Sequence, residues 1–187
     1  MKLYIKNMVC SRCKMVVESE LIKFGLHPLV VNLGEVDIEE TELDSKQKSQ
    51  LNGKLMSFGF EIIDDKKSRL IERIKNAIVE LVHYSDEQLK VNLSHHISNH
   101  LNLDYSYLSN LFTEVEGTTI EKYFIAQKIE KVKELILYDE LSLSEIADKL
   151  NYGSVSYLSK QFKKVTGLTP SHFKQVRERK RKSIEEL

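Results

Sequence analysis

The sequence predicts an α+β protein in which a small βαββαβ domain, residues 1–65, precedes an all-α domain with two helix-turn-helix units, residues 66–187. Two observations lead to this division. Residues 1–65 alternate strand-like and helix-like patterns, whereas a helical segment that begins at Ser106 returns fifty residues later at Ser156. A duplicated segment in so short a chain indicates that one structural task is performed twice.

The first domain follows the order strand, helix, strand, strand, helix, strand. The strand patterns are LYIK at 3–6, LVVNL at 29–33, EVDIE at 35–39 and FEII at 60–63, and the helices run from about residue 12 to 24 and from about residue 45 to 58. This order is that of the ferredoxin-like split fold. A polar link, DDKKS at 64–68, separates it from a helix at 69–83 that is expected to begin the second domain.

The repeat predicts two amphipathic recognition helices, each preceded by a shorter helix, at 93–101 and at 143–150. In each copy Leu, Phe and Val share one face and a Gly ends the helix, as in Leu108, Phe112, Val115 and Gly117 and again in Leu158, Phe162, Val165 and Gly167. Asp104 and Ser154 are suited to cap the recognition helices at their N-termini. The second turn is one residue longer, and Gly153 is the expected addition because glycine adopts backbone angles that other residues resist.

Residues 118–138 keep a helical period between the two copies and predict one long helix. At about 1.5 Å per residue this helix would span roughly 30 Å. Successive major grooves on one face of a DNA duplex are about 34 Å apart. A single chain is therefore expected to place its two recognition helices in adjacent grooves and to read two half-sites.

Residues 67–182 resemble the DNA-binding domain of the AraC-type transcription regulators. The resemblance rests on DYSYLSNLFTEVEG and GSVSYLSKQFKKVTG as recognition helices, on QKIEKVKELI at 127–136 as the linker helix, and on GLTPSHFKQVR at 167–177 as the closing signature. Val132 stands where the family usually has a small Ala, and Asn110 where the first recognition helix usually carries Arg. The resemblance implies a sequence-specific transcription regulator, not an enzyme, whose partner is double-stranded DNA.

The same resemblance places base-facing side chains on both recognition helices. They are Ser106, Tyr107, Ser109 and Asn110 in the first helix, and Ser156, Tyr157, Ser159 and Lys160 in the second. Asn can bind adenine in bidentate fashion, Lys can reach guanine, and Ser or Tyr hydroxyls can bond to a base edge or to a phosphate. Lys163 and Lys164 are expected to contact phosphates. The alternative is that the serines and tyrosines only cap or cover the helices.

Charge supports DNA binding only when the chain is divided. The whole chain of 187 residues carries 28 basic and 28 acidic side chains, but residues 160–187 carry 9 basic and 3 acidic ones. The window 105–124 has a net charge of −2 and the window 155–174 one of +4. The second recognition helix is therefore expected to bind phosphate more strongly than the first. The run RERKRK at 177–182 is either a solvated helix end or a further phosphate contact.

Both cysteines of the chain, Cys10 and Cys13, lie where the first strand gives way to a helix. Unpaired amide groups at the start of that helix, together with Arg12 between the cysteines, would lower the thiol pKa and favour thiolates. Paired thiolates suit Cu(I). Val9 stands where an Asp could have supplied a hard third ligand for Zn(II) or Cd(II), so Cu(I) is the favoured cofactor, with Ag(I) or Hg(II) as mimics.

This segment resembles the heavy-metal-associated domain of copper chaperones and metal-pumping ATPases. The resemblance rests on the MxCxxC loop, on the strand order and on FGFEI at 58–62. It implies that Cys10 and Cys13 are the metal ligands and that Met8 is a buried support of the loop, while Asn7 stands where Gly is usual. A two-coordinate ion is open to a second thiol pair, so two copies of the chain could share one ion.

Several alternatives to metal sensing stay open at this stage. The first domain could be a degenerate relative that no longer senses metal, the chain could be a metal carrier, or the CxxC pair could perform thiol-redox chemistry. His96 and His100, four residues apart on a helix beside His95, offer a rival metal site. No export signal or apolar span is recognisable, so the expected location is the cytoplasm, with no membrane partner.

Overall fold

The structure is a computed structural model that describes residues 1–63, 66–85 and 92–181, except for the side chains of 177–181. The chain divides into two compact units. The first comprises residues 1–79 with 100–103, and the second comprises residues 80–99 together with the chain after residue 103. Residues 66–79, which the sequence assigned to the second domain, are thus grouped with the first unit.

Four strands and two helices open the first unit, and each lies where the pattern predicted it. They are β1 (Lys2–Lys6), α1 (Ser11–Lys23), β2 (Pro28–Asn32), β3 (Glu35–Ile38), α2 (Ser45–Met56) and β4 (Glu61–Ile62). The strands form one antiparallel sheet in the order β2-β3-β1-β4. β1 is therefore an inner strand of the sheet. The segment that leads to Cys10 begins at the end of this inner strand.

The core of this unit follows the alternation of the strands. Leu3 and Ile5 of β1 are buried together with Val36 and Ile38 of β3, because every second residue of a strand points to the same face. The helices contribute the remaining core residues, among them Val17, Leu21, Leu51 and Leu55. At the start of α2, Asp44 and Gln47 form a reciprocal capping box that fixes where the helix begins.

A third helix, α3 (Lys66–Val79), follows β4 along the chain. Its buried residues are Ile71, Glu72, Ile74, Asn76, Ala77, Ile78 and Val79. A π-helical turn, Glu80–Tyr84, follows α3 directly and opens the second unit. The helix at 69–83 that the sequence predicted is thus present, but it is divided between the two units.

Six further helices complete the described chain. They are α4 (Leu93–Leu101), α5 (Tyr105–Glu116), α6 (Ile120–Tyr138), α7 (Leu143–Lys149), α8 (Val155–Thr166) and α9 (Pro170–Arg181). The pairs α4–α5 and α7–α8 are the two predicted helix-turn-helix units, and α6 is the predicted long helix between them. No helix within the described ranges combines the length and the apolar character that a bilayer span requires.

The long helix α6 provides one wall of the core around the second helix-turn-helix. Ile129, Val132 and Ile136 of α6 are buried in one cluster with Leu158 and Phe162 of α8. Val132 is fully buried, so the position where the family usually has Ala here holds a larger core side chain. The Phe162 ring also packs against the ring of Phe173 of α9 in an edge-to-face arrangement, with ring centroids 5.6 Å apart. α8 is therefore held from two sides, which fixes the direction of its exposed face.

Candidate functional site

The recognition helices α5 and α8 present the same positions to solvent. The exposed fraction is 52% for Tyr107 and 56% for Tyr157, whereas the Leu that follows each tyrosine is fully buried. The four positions of each helix that the sequence assigned to base contact are exposed, except that the second serine is half-buried; they are Ser106, Tyr107, Ser109, Asn110 and Ser156, Tyr157, Ser159, Lys160. Both helices thus offer a polar, accessible face of matching composition.

Ser109 is the position where the capping alternative holds in part. Its hydroxyl donates to the carbonyl of Ser106 at 3.3 Å, within its own helix. The Ser109 carbonyl in turn accepts from the Thr113 hydroxyl at 2.8 Å. A base contact by Ser109 would therefore replace an existing hydrogen bond, so its net gain would be small.

Local hydrogen bonds fix where each recognition helix begins and ends. The Asp104 carboxylate accepts from the Tyr107 backbone amide, and the Ser154 hydroxyl accepts from the Tyr157 backbone amide, both at 3.1 Å. At the other end Gly117 and Gly167 adopt φ of 64° and 79°. This left-handed conformation favours glycine and ends a helix. Both predicted N-caps and both predicted glycine stops are confirmed.

The turns inside the two helix-turn-helix units depend on asparagine. Asn102 and Asn151 each follow a leading helix and have φ of 54° and 49°. Asn tolerates this left-handed region better than most residues because its short side chain can bond locally. Gly153 has no positive φ, so the prediction that it supplies the unusual backbone angle of the second turn is wrong. Asn102 directly follows α4, and Asn151 follows α7 after Leu150. An Asn close to the end of the leading helix in both copies was the available sequence signal.

A second difference concerns the valines of the repeat. Val115 and Val165 are each 46% exposed, so their assignment to the buried stripe with Leu and Phe is wrong. Each lies in the last turn of its helix, directly before the stop at Gly117 or Gly167. The buried residues of each recognition helix therefore stop short of its last turn.

A buried lysine joins α6 to the second helix-turn-helix. Lys128 of α6 is 8% exposed, and its Nζ lies 3.8 Å from the ring centroid of Tyr152 and 5.5 Å from that of Phe124. Burial lowers the pKa of Lys128 to about 8. The Tyr152 ring also lies 6.1 Å from the Tyr157 ring of α8. A chain of contacts thus runs from the long helix to a residue of the recognition face, and no sequence pattern had indicated it.

The two thiols lie together at the start of α1. Their Sγ atoms are 3.3 Å apart, and both cysteines are half-buried. Burial opposes ionisation of Cys10, but hydrogen bonds from Cys13 and from the Arg12 backbone, together with the Arg12 guanidinium, outweigh it, so the pKa of Cys10 lies below its usual value. Met8 is fully buried. The pair is therefore arranged as two adjacent soft donors with thiolate character favoured at Cys10.

Asn7 braces the segment that leads into the thiol loop. It has a φ of 69°, the left-handed conformation for which Gly would be the usual residue. Its side-chain amide donates to the Gly59 carbonyl at 2.9 Å, and its backbone amide donates to Oε2 of Glu72 at 3.3 Å. Asn thus keeps the backbone angle of a glycine and adds a hydrogen bond that glycine cannot make. Glu72 is a contributor that the sequence analysis missed, because a single acidic residue on a helix carries no pattern.

Two comparisons identify the second unit. A family model described as a helix-turn-helix domain matches residues 97–176. The C-terminal domain of AraT, a response regulator from Geobacillus stearothermophilus, superposes with a TM-score of 0.51 and 27% identity, over 60% of this chain and 88% of that domain. Residues 97–176 form an AraC-type helix-turn-helix domain.

Curated relatives match the chain through the same AraC-type domain. The xylose operon regulatory protein of Escherichia coli K12 is 29% identical over 104 residues, which are 54% of this chain and 26% of that protein. The uncharacterized transcriptional regulatory protein YesN of Bacillus subtilis is 37% identical over 70 residues, 36% of this chain and 19% of that protein. The chain thus spans about a quarter or less of the length of these relatives.

Basic side chains are unequally distributed over the AraC-type domain. Lys160, Lys163 and Lys164 are exposed on α8. Lys174, which the window 155–174 counted with them, forms an ion pair with the Asp139 carboxylate. The charge available to a phosphate on α8 is therefore smaller than the count of +4 suggested, and it comes from these three lysines. Of the run 177–182, residues 177–181 belong to α9, and Lys182 lies outside the described residues.

Among the described residues, no acidic or thiol side chains join the histidines of α4 in a group that could hold a metal ion. Nε2 of His95 lies 3.0 Å from the Asn99 amide nitrogen. In the part of the chain that the structure describes, no group of three or more His, Cys, Asp or Glu side chains is arranged to hold a metal ion. The donor pair formed by Cys10 and Cys13 is the site whose chemistry fits a two-coordinate soft ion.

Proposed function

We propose that the chain is a DNA-binding transcription regulator of the AraC family that reads DNA through α5 and α8. The observation that carries the proposal is the matched exposure of the two recognition helices within an AraC-type domain. Tyr107 and Tyr157 stand at corresponding places and are more than half exposed. Exposed aromatic and polar side chains on a helix of this kind suit contact with base edges and phosphates in the major groove.

The two recognition helices differ in the contacts that they offer to DNA. Asn110 on α5 has the bidentate amide that suits adenine, whereas Lys160 at the corresponding position of α8 suits guanine. Lys163 and Lys164 add contacts to phosphate, which raise affinity for any sequence. α5 has no basic side chain of its own. Binding by α5 then depends on α8 holding the domain on the duplex.

The first unit is proposed to be a ferredoxin-like, heavy-metal-associated domain that binds Cu(I) through Cys10 and Cys13 and conveys the signal. Support comes from the strand order β2-β3-β1-β4, from the contact of the two thiols and from the buried Met8. The lowered pKa of Cys10 favours the thiolate that a soft ion requires. A bound Cu(I) would supply a positive charge that holds two thiolates at one point. Binding of this kind belongs to the reducing cytoplasm, where thiols persist.

A second copy of the chain is a candidate partner at the same site. A two-coordinate ion leaves room for another thiol pair, and both cysteines are half-buried rather than enclosed. Sedimentation of the full chain with half an equivalent of Cu(I) tests this partner: a shared ion gives a dimer, and an unshared ion leaves a monomer.

A mobility-shift series on DNA from upstream of the chain's own coding region tests the regulator proposal. The native chain and the Cys10→Ser, Cys13→Ser variant are each titrated with and without Cu(I). We expect Cu(I) to change the affinity of the native chain and to leave the variant at its basal affinity. Ser11→Ala, an exposed change between the two cysteines at the start of α1, is the matched control and should respond as the native chain does.

Each other outcome selects another function. No sequence-specific shift under any condition refutes the regulator, whereas an equal shift in all four arms leaves a DNA-binding protein with a degenerate first domain. A chain that delivers Cu(I) to an acceptor protein with no change in DNA affinity is a metal carrier. Catalytic reduction of a small disulfide by the native chain and not by the cysteine variant indicates thiol-redox chemistry.

A further inference from the structure

Helix α3 is joined to the first unit at two backbone groups. Oε2 of Glu72 accepts from the Asn7 amide at 3.3 Å, and Nδ2 of Asn76 donates to the Leu33 carbonyl at 2.9 Å. Glu72 and Asn76 are 6% and 7% exposed. One helical turn separates them, so both bonds lie on one face of α3 and fix its rotation as well as its position.

Glu72 is distant from the thiol loop in sequence, but the residue to which it bonds, Asn7, lies three positions before Cys10. Asn7, to which it bonds, is followed by the buried Met8, and Cys10 is the N-cap of α1. The side chain of Asn7 is held at the same time by the Gly59 carbonyl. A change in the path of the loop at Met8 would move the Asn7 amide, and with it the hydrogen bond to Glu72.

The contacts of Glu72 make this hydrogen bond costly to lose. A carboxylate with so little exposure needs partners, and those of Glu72 are the Asn7 amide and the Lys75 ammonium at 3.3 Å. Removal of one partner of a buried ionised group costs more than an average hydrogen bond contributes. The position of α3 is thus sensitive to the position of Asn7.

The hydrogen bond from Asn76 to the Leu33 carbonyl is made where α3 packs closely against the turn after β2. Gly34 has a φ of 80°, and a Cβ added to it would lie 2.0 Å from Nδ2 of Asn76. Glycine is required there both for the backbone angle and for the close approach of the helix side chain. The turn after β2 therefore accommodates α3, and α3 is a docked element of the first unit rather than a tether.

We propose that docking of α3 through Glu72 and metal binding at Cys10 and Cys13 are thermodynamically linked, so that α3 reports the state of the thiol loop. The inference rests on the proposed function, since it takes Cu(I) as the ligand. If docked α3 holds Asn7 in the geometry that favours metal, then metal must favour docked α3 by the same factor. Val79, the last residue of α3, directly precedes Glu80, where the second unit begins. The chain itself then carries the change towards the DNA-binding part.

Amide hydrogen exchange on the full chain, with and without one equivalent of Cu(I), tests the linkage. We expect Cu(I) to slow exchange in the peptides that cover residues 66–79 several-fold. Glu72→Met removes the acceptor, so it should lose most of this protection and should bind Cu(I) several-fold more weakly in competition with a chromophoric chelator. Glu18→Met makes the same change at an exposed position of α1 and should leave both measurements unchanged.

Asn76→Ala provides an independent variant, because its partner Leu33 is not part of the thiol loop. Asn76→Ala should weaken the docking of α3 and, through the linkage, should also lower the affinity for Cu(I). If Asn76 had a purely structural role, the affinity for Cu(I) would not change. The proposal is overturned if Cu(I) binds in a cysteine-dependent manner while exchange in 66–79 is unchanged; in that case metal binding itself stands. Absence of Cu(I) binding to the native chain refutes both the linkage and the metal-sensing function.

Discussion

Single side chains on the two recognition helices are expected to separate affinity from sequence preference. Lys163 and Lys164 are exposed in the last turn of α8, where an ammonium group can approach a phosphate without reading a base. Asn110 is exposed on α5, and its amide offers a donor and an acceptor to one base edge. The two kinds of residue should respond differently to salt and to changes in DNA sequence.

Lys163→Ala combined with Lys164→Ala should weaken binding to all sequences and reduce the slope of log affinity against log salt by about 2, because two counterion-releasing contacts are lost. Asn110→Ala should instead reduce the discrimination at one base position, by about 1–3 kcal/mol, and leave the salt slope unchanged. Fluorescence anisotropy over a salt series, on the preferred site and on single-base variants, measures both. Lys46→Ala combined with Lys54→Ala removes two exposed lysines of α2 and serves as the control. Equal behaviour of the two sets would contradict this division of roles.

At the scale of single elements, the long helix α6 is connected to the second turn through Lys128 and Tyr152. The ring of Tyr152 faces the ammonium group at 3.8 Å, an arrangement that stabilises the cation. Burial acts in the opposite direction and lowers the pKa of Lys128 to about 8. The balance of these two effects makes this contact dependent on pH.

Because the pKa of Lys128 falls from 10.5 to about 8 on folding, the unfolded chain binds more protons than the folded chain between these two values. The free energy of unfolding should therefore rise with pH through this window, and below pH 8 the contribution of Lys128 should be constant. Lys128→Met should flatten the rise while keeping most of the buried volume. Thermal unfolding followed by circular dichroism at several pH values, with Lys122→Met on the exposed side of α6 as the control, measures the difference. A rise that is identical in the native chain and Lys128→Met would exclude Lys128 as its source.

The helices and strands were predictable from the sequence, but the conformation of the turns between them was predictable only in part. The period of the apolar residues predicted all six elements of the first sheet domain and both helix-turn-helix pairs, because burial of one face determines that period. Asp104, Ser154, Gly117 and Gly167 were predictable because the ends of helices require particular residue types. The left-handed conformation of Asn151 was not predictable because glycine, present two residues later as Gly153, adopts such angles more readily than asparagine.

The candidate site was predictable to the same limited degree. The exposed positions of α5 and α8 could be assigned from the repeat, and the thiol pair from its spacing. The hydrogen bond between Asn7 and Glu72 joins residues 65 positions apart, and no local pattern encodes such a pair. The burial of Lys128 is also a tertiary effect, since a lysine on a helix is usually exposed.

At the scale of the whole molecule, a single chain should require a fixed spacing between its two half-sites. The 19 residues of α6, at about 1.5 Å each, give a length of about 28 Å between the two helix-turn-helix units. Buried residues of α6 and α8 belong to one apolar cluster. The long helix and the second recognition helix therefore form one packed body. This length is set by the number of residues in the helix, and a packed helix cannot lengthen to fit the DNA.

Insertion of about five base pairs between the two half-sites turns the second one to the opposite face of the duplex and should reduce binding to that of α8 alone. Insertion of about ten base pairs restores the face but lengthens the gap by about 34 Å, so binding by a single chain should not recover. Anisotropy titrations on the three duplexes measure this. Recovery at the longer insertion would show that two chains, one on each half-site, bind the DNA instead.

The hydroxyl of Tyr152 offers a route to a more heat-stable regulator. It is buried, and within the described residues it has no hydrogen-bond partner. A phenylalanine at this position would keep the ring that faces Lys128 and Tyr157 and would remove a polar group whose burial is uncompensated. The ring contacts Lys128 and Tyr157, whereas the hydroxyl has no hydrogen-bond partner among the described residues, so a gain in heat stability at this position is separable from DNA recognition.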